Sequence, residues 1–186
     1  KTLMGLAFLA EGARQGEVGH HFAFYDSPQR VLEQTSSVGL HLAPLLEKGH
    51  LELSFRPPTE NLLDALGVHL VSLIRERGVR RLFIHGFDVL KKASFHWARV
   101  ARFMAALVNE CRARGVTMLF SVETPIFGLE LRFPVGGVSM IAENILFGVP
   151  LGDTFRERTL PSHPFVRAIL ESEGLTKTLT AMGLSI

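Results

Sequence analysis

The sequence predicts an α/β protein: a mostly parallel central sheet with helices on both faces. Two observations carry this. Short apolar runs of four to seven residues alternate with longer segments of helical periodicity along the chain. Glycine or proline marks most of the switches between them, as at Gly16, Gly39, Pro57-Pro58, Gly78 and Gly115. Right-handed crossovers between parallel strands then put helices on either side of the sheet.

The elements follow in order. Residues 3–15 place Leu6, Leu9, Ala10 and Ala13 on one helical face, with Gly16 as the stop. His21–Tyr25 is a short apolar run, read as a buried strand. Ser27-Pro28 opens the next helix, because serine caps a helix N-terminus and proline is preorganised for its first turn. That helix carries Val31, Leu32 and Val38 and stops near Gly39. A helical turn covers Leu42–Glu47, and Leu51–Phe55 is the next strand, ended by Arg56-Pro57-Pro58. Residues 60–77 form an amphipathic helix closed by Gly78, and Leu82–His85 is a strand.

The longest helix covers residues 94–114. Trp97, Val100, Met104, Leu107 and Cys111 recur at three- and four-residue spacing, a core stripe, and Gly115 ends it. Val116–Val122 is rich in strand formers. A loop is expected over 124–137, a strand within Val138–Val149, and short strands around Leu160 and Val166–Leu170. The 186 residues make one domain, with no internal repeat and no evident linker.

Composition narrows the function classes. Of the residues 47% are hydrophobic and 20% charged, which excludes a disordered chain. Twenty basic against 18 acidic residues leave a net charge of +2, too small for a nucleic-acid surface despite a pI near 9.0. The single cysteine, Cys111, excludes a disulfide framework and a Cys-rich zinc site. Mean hydropathy is +0.23, yet no run of about 18 apolar residues predicts a membrane span. No signal peptide is visible, so a cytoplasmic location is expected. A chain opening on Lys1-Thr2 without Met reads as a fragment, a processed form or the ordered part of a longer chain.

In an open parallel sheet, ligands gather at the carboxyl ends of the strands. Those ends are Tyr25-Asp26, Phe55-Arg56, His85-Gly86 and Ser121–Glu123, which makes Ser121 a candidate ligand contact. Lys1-Thr2 ahead of a helix matches the tail of a P-loop, G-x-x-x-x-G-K-[ST]. In that motif the lysine neutralises phosphate charge and the hydroxyl reaches Mg²⁺. Two residues also fit an ordinary helix start. Asp26 is placed to polarise an attacking water, or simply to open a solvated loop. The run from Arg81 to Phe87 has the shape of a Walker B strand, but its polar residue is His85, where Mg²⁺ favours an acidic oxygen donor. Asp88 lies three residues on.

Eight histidines are present, with His20 and His21 adjacent and so on opposite faces of a strand. No H-E-x-x-H, G-x-S-x-G or G-x-G-x-x-G occurs, which counts against a zinc hydrolase, a serine hydrolase and a dinucleotide enzyme. Ser139 is either a hydroxyl at a strand start or a phosphate acceptor.

Taken in sequence, KTLMGLAFLAEGARQGE, FAFYDSPQRVLEQTSSVGL, RPPTENLLDAL, RRLFIHGFDVL, ARGVTMLFSVET and GVSMIAENILF resemble the KaiC-type ATPase domains of the RecA superfamily. The resemblance covers roughly residues 1–150 and implies a RecA-like P-loop fold that binds ATP and Mg²⁺. Lys1 and Thr2 would end the Walker A motif, its glycines lying before Lys1, with Thr2 as the metal ligand. Asp26 would stand where the family has a glutamate beside the attacking water, and Tyr25 where a second glutamate is common. His85 takes the place of the Walker B aspartate. Ser139 matches a phosphorylated serine of circadian relatives, with Met140 where they have threonine. The late Lys-x-Arg that reaches a neighbouring subunit's nucleotide has no counterpart, which implies an omitted segment near 160–161. The resemblance further implies a ring-shaped homo-oligomer, a hexamer, with a signalling protein as a further partner. Two readings follow: an ATP-binding domain with weak or residual ATPase or autokinase activity, or a catalytically degenerate nucleotide-sensing or protein-interaction scaffold.

Overall fold

The computed structural model describes residues 1–57, 63–87, 89 and 97–122, all within the compact unit Lys1–Phe147. Among the described residues the elements run in the order α1 (Thr2–Arg14), β1 (Gly19–Ala23), α2 (Pro28–Ser37), α3 (Ala43–Glu47), β2 (Leu51–Phe55), α4 (Leu63–Arg77), β3 (Arg81–His85), α5 (Trp97–Ala113) and β4 (Thr117–Phe120). The strands form one sheet in the order β2-β1-β3-β4, and every pairing is parallel. The expected α/β class is therefore what the chain adopts. The expected loop over 124–137, the later strands, Asp88 and Ser139 lie outside the described residues.

Alternation along each strand builds two cores. Phe22, Leu82 and Ile84 face one side and pack with Leu66, Leu70 and Ile74 of α4 and with Val100, Met104, Leu107 and Cys111 of α5. Phe83 faces the other side and packs with Leu6, Leu9 and Ala10 of α1, Val31 of α2, and Leu42. Both faces of the sheet are thus covered, as an all-parallel sheet requires. The stripe expected of the longest helix is buried at Val100, Met104, Leu107 and Cys111. Burial pushes the Cys111 thiol up to about 11, so it is an inert core residue.

Strand boundaries differ from the apolar runs that predicted them: β1 ends at Ala23 instead of Tyr25, β3 starts at Arg81 instead of Leu82, β4 ends at Phe120 instead of Val122, and two of the starts have a visible cause. β1 begins at Gly19, two residues before His21, because Gly19 and His20 pair on both sides with Leu51-Glu52 and Arg81-Leu82. Neither residue carries a strand signal of its own. β4 begins at Thr117, because the Val116 N–H is taken by the Cys111 carbonyl (2.8 Å) that closes the preceding helix. The start of α2 is as expected: Pro28 is its first residue, and the Ser27 hydroxyl accepts from the Arg30 N–H at 3.4 Å.

Arg81 ties the far end of α1 to the start of β3. Its guanidinium donates to the carboxylate of Glu17, to the Phe8 carbonyl (2.8 Å) and to the Gln15 side chain (3.2 Å). It also sits 4.9 Å from the centre of the Phe8 ring. One planar fork serves three acceptors, which lysine cannot reproduce. Arg81→Met is expected to cost about 1–2 kcal/mol, since the cluster is half-open to solvent. A lower urea midpoint at unchanged slope would show it; an unchanged midpoint would remove Arg81 from the account.

Candidate functional site

The carboxyl ends of β1 and β3 and the N-terminus of α1 converge. α1 begins at Thr2 with Lys1 as its N-cap, so its first N–H groups point out of the helix start. Thr2 lies within reach of β3's last residue: Thr2 Oγ1 and His85 Nε2 are 3.0 Å apart. The other ring nitrogen, His85 Nδ1, stands 3.6 Å from Asp26 Oδ2, just past β1. A carboxylate on that side favours the proton on Nδ1, which makes Nε2 the acceptor and the Thr2 hydroxyl the donor. Asp26 also pairs with Arg30 of α2, Nε to Oδ1 at 3.4 Å, one helical turn on. Thr2, His85 and Asp26, separated by up to 83 positions, so form one chain of polar contacts.

An aromatic layer supports this chain from below. His21 stacks on Phe83 at 5.3 Å between ring centres and lies 6.0 Å from His85, while Phe83 and His85 are 5.7 Å apart. In the β1–β3 register His21 is opposite Phe83 and Ala23 opposite His85, which makes His21 and His85 diagonal neighbours on one sheet face. His21 is fully buried, and its Nε2 has no hydrogen-bond partner among the described residues. Burial, with the nearby His85 and His20, lowers its pKa to about 3.

His20 points to the opposite face, as adjacent strand residues must. Burial, with His69 and Arg77 adding to it, lowers its pKa to about 4. The Glu52 carboxylate lies 3.9 Å from its Nδ1 but is itself partly exposed and does not reverse that effect. Neither histidine is placed to hold a metal, and no group of three His, Cys, Asp or Glu side chains with that capacity exists among the described residues.

The turn after β3 is held by Ser121. Its hydroxyl accepts from the Gly86 N–H (3.2 Å), its carbonyl from the Phe87 N–H (3.0 Å), and its own N–H donates to the Ile84 carbonyl (3.0 Å). Gly86 has φ +84°, and a Cβ there would meet the Tyr25 ring at 3.1 Å. Tyr25 therefore packs across the turn, half-exposed, instead of offering a carboxylate.

The residues expected at the site thus fall into two groups. Thr2, Asp26 and His85 are brought together, with Lys1 at the same helix start. Ser121 is one strand further along and is joined to them through the Gly86 turn. Sequence reasoning missed His21 and Arg30. The repeated histidine at the middle of one strand and the end of the next was a signal, but only the register shows that they meet.

A family model described as the KaiC ATPase matches residues 1–146. That is more than three-quarters of the chain, and the chain belongs to this family. It is a KaiC-like ATP-binding domain with a RecA-like P-loop fold, as the four-stranded parallel sheet and its flanking helices agree. No curated protein matches it. No helix among the described residues is long and apolar enough to cross a membrane.

Proposed function

We propose that this domain binds ATP between the start of α1 and the ends of β1 and β3 and hydrolyses it slowly, within a cytoplasmic ring-shaped homo-oligomer, a hexamer, that serves a regulatory or signalling role. The observation that carries the reading is the Thr2–His85–Asp26 chain of contacts at the α1 N-terminus. A helix start with a lysine offers phosphate both free N–H groups and positive charge. Lys1 and Thr2 take the phosphates, Ser121 contacts the nucleotide from the neighbouring strand, and Asp26 orients the attacking water.

Mg²⁺ is the cation this family uses with ATP, and among the described residues the donors at this helix start suit it poorly. It takes an octahedral array of oxygens, mostly from water and the substrate's phosphates, with one or two carboxylates from the protein. Here Thr2 offers one hydroxyl, His85 offers a nitrogen, and the Asp26 carboxylate lies behind the imidazole against Arg30. Asp26 is also one methylene shorter than glutamate, and a misplacement of about 1 Å can cost on the order of 100-fold in rate. Phosphoryl transfer depends on positioning and charge neutralisation, so both features support slow turnover. The same features favour a second reading, a nucleotide sensor without turnover.

ATP binding and phosphate release by the complete protein test this. Lys1→Ala is expected to weaken ATP binding by about tenfold or more. Binding with Lys1-dependent phosphate release supports the enzyme, and binding without release the sensor. Absence of binding would overturn both. Sedimentation with ATP tests the oligomer: a monomer at high concentration counts against it.

A further inference from the structure

A carboxylate at the end of β3 would do two things. It would accept the Thr2 hydroxyl proton, and it would place a negative charge where phosphate must come close. That charge makes a bridging cation necessary, because phosphate and carboxylate repel each other without one. His85 keeps the first property and discards the second. Its Nε2 stands 3.0 Å from Thr2 Oγ1, so the helix start is still tied to the strand end. Its ring carries no negative charge and has no second acceptor oxygen for a metal's water. The Asp26 carboxylate, facing Nδ1 at 3.6 Å on the far side of the ring, also has Arg30 at 3.4 Å. Its charge is screened from the Thr2 side by the imidazole and offset by the guanidinium.

The support beneath His85 fixes it in that role. His21 and Phe83 stack against it, and both are buried. The imidazole is held as a rigid spacer between hydroxyl and carboxylate.

We infer that His85 makes nucleotide binding at this site independent of a divalent cation. The site takes the nucleoside triphosphate with or without a bound cation, its phosphates held by the α1 N-terminus and Lys1. The inference deepens the proposed function and rests on it. It concerns the ligand's metal state, which that reading leaves open.

The test is equilibrium binding of ATP to the complete protein in EDTA and in millimolar Mg²⁺, Mn²⁺ or Zn²⁺. The affinity in EDTA is expected to lie within about threefold of that in Mg²⁺. His85→Asp restores the charge and is expected to make binding depend on Mg²⁺ by about tenfold or more, mainly by weakening it in EDTA. A merely structural role for His85 would weaken binding equally in both solutions and overturn the inference. Should His85→Asp not fold, Thr2→Val serves. It removes the hydroxyl a cation would need, and it is expected to change affinity by the same factor with and without Mg²⁺. A loss confined to Mg²⁺ overturns the inference. So does wild-type binding that is tight only with Mg²⁺, Mn²⁺ or Zn²⁺, although the proposed function then stands. No binding in any solution overturns the proposed function itself.

Discussion

Moving the protein from pH 7 to pH 5 is expected to remove about 4 kcal/mol of folding stability through His20 and His21 alone. Both rings are buried and neutral in the fold, on opposite faces of β1. At pH 7 they are largely neutral in the unfolded chain as well, so the difference in protonation costs little there. Below 6.5 the unfolded chain takes up protons that the folded chain refuses until about pH 4 for His20 and about pH 3 for His21. The unfolded state binds more protons throughout that window, so stability is full above 6.5 and falls as the pH drops toward 4. Each histidine contributes a slope of about 1.4 kcal/mol per pH unit. A domain of total stability of roughly 5–15 kcal/mol cannot absorb much of that. Urea titrations at several pH values measure it directly. His21→Phe should roughly halve the slope, and a stability that is flat from pH 7 to pH 5 would refute the assignment.

Gly5→Ala should destabilise the fold by about 3 kcal/mol, the upper end of the usual cost of overpacking a core. In an ordinary helix the same change is favourable, because alanine loses less backbone freedom than glycine. Here a Cβ at Gly5 would overlap Cε1 and Cζ of Phe83. Phe83 cannot turn away, since it is 1% exposed and stacked against both His21 and His85. α1 must therefore lift from β3. Thr2 is at the start of that helix, so the lift also lengthens its contact with His85. Gly5→Ala combined with Phe83→Leu should recover part of the loss, because the smaller side chain vacates the space. Additive losses in the double variant would show that the two residues do not oppose each other. The glycine thus links packing to the site: it lets the helix start come close enough to the strand end for a hydroxyl and an imidazole to meet.

Much of this was legible in the residues. The periodicity of α1, α4 and α5, the Ser27-Pro28 helix start and the alternation in Leu82-Phe83-Ile84 each reflect local physics: which side chains share a face and which backbone groups need a cap. They suffice for a parallel sheet with helices on both faces. They also place Thr2, Asp26 and His85 at element ends, where a site would form.

Distance was not legible. The tie between Thr2 and His85 spans 83 positions, and the register of β1 on β3 decides that His21 lies diagonal to His85. Register is a property of two strands and their helices together, so no single segment encodes it. The same holds for the start of β1, where Gly19 and His20 are strand residues only because β2 and β3 flank them. Sequence by itself determined the class of fold and the chemical inventory at the strand ends. The tertiary structure decided which groups of that inventory touch, because contact between remote residues depends on how helix and sheet pack, down to one missing Cβ at Gly5.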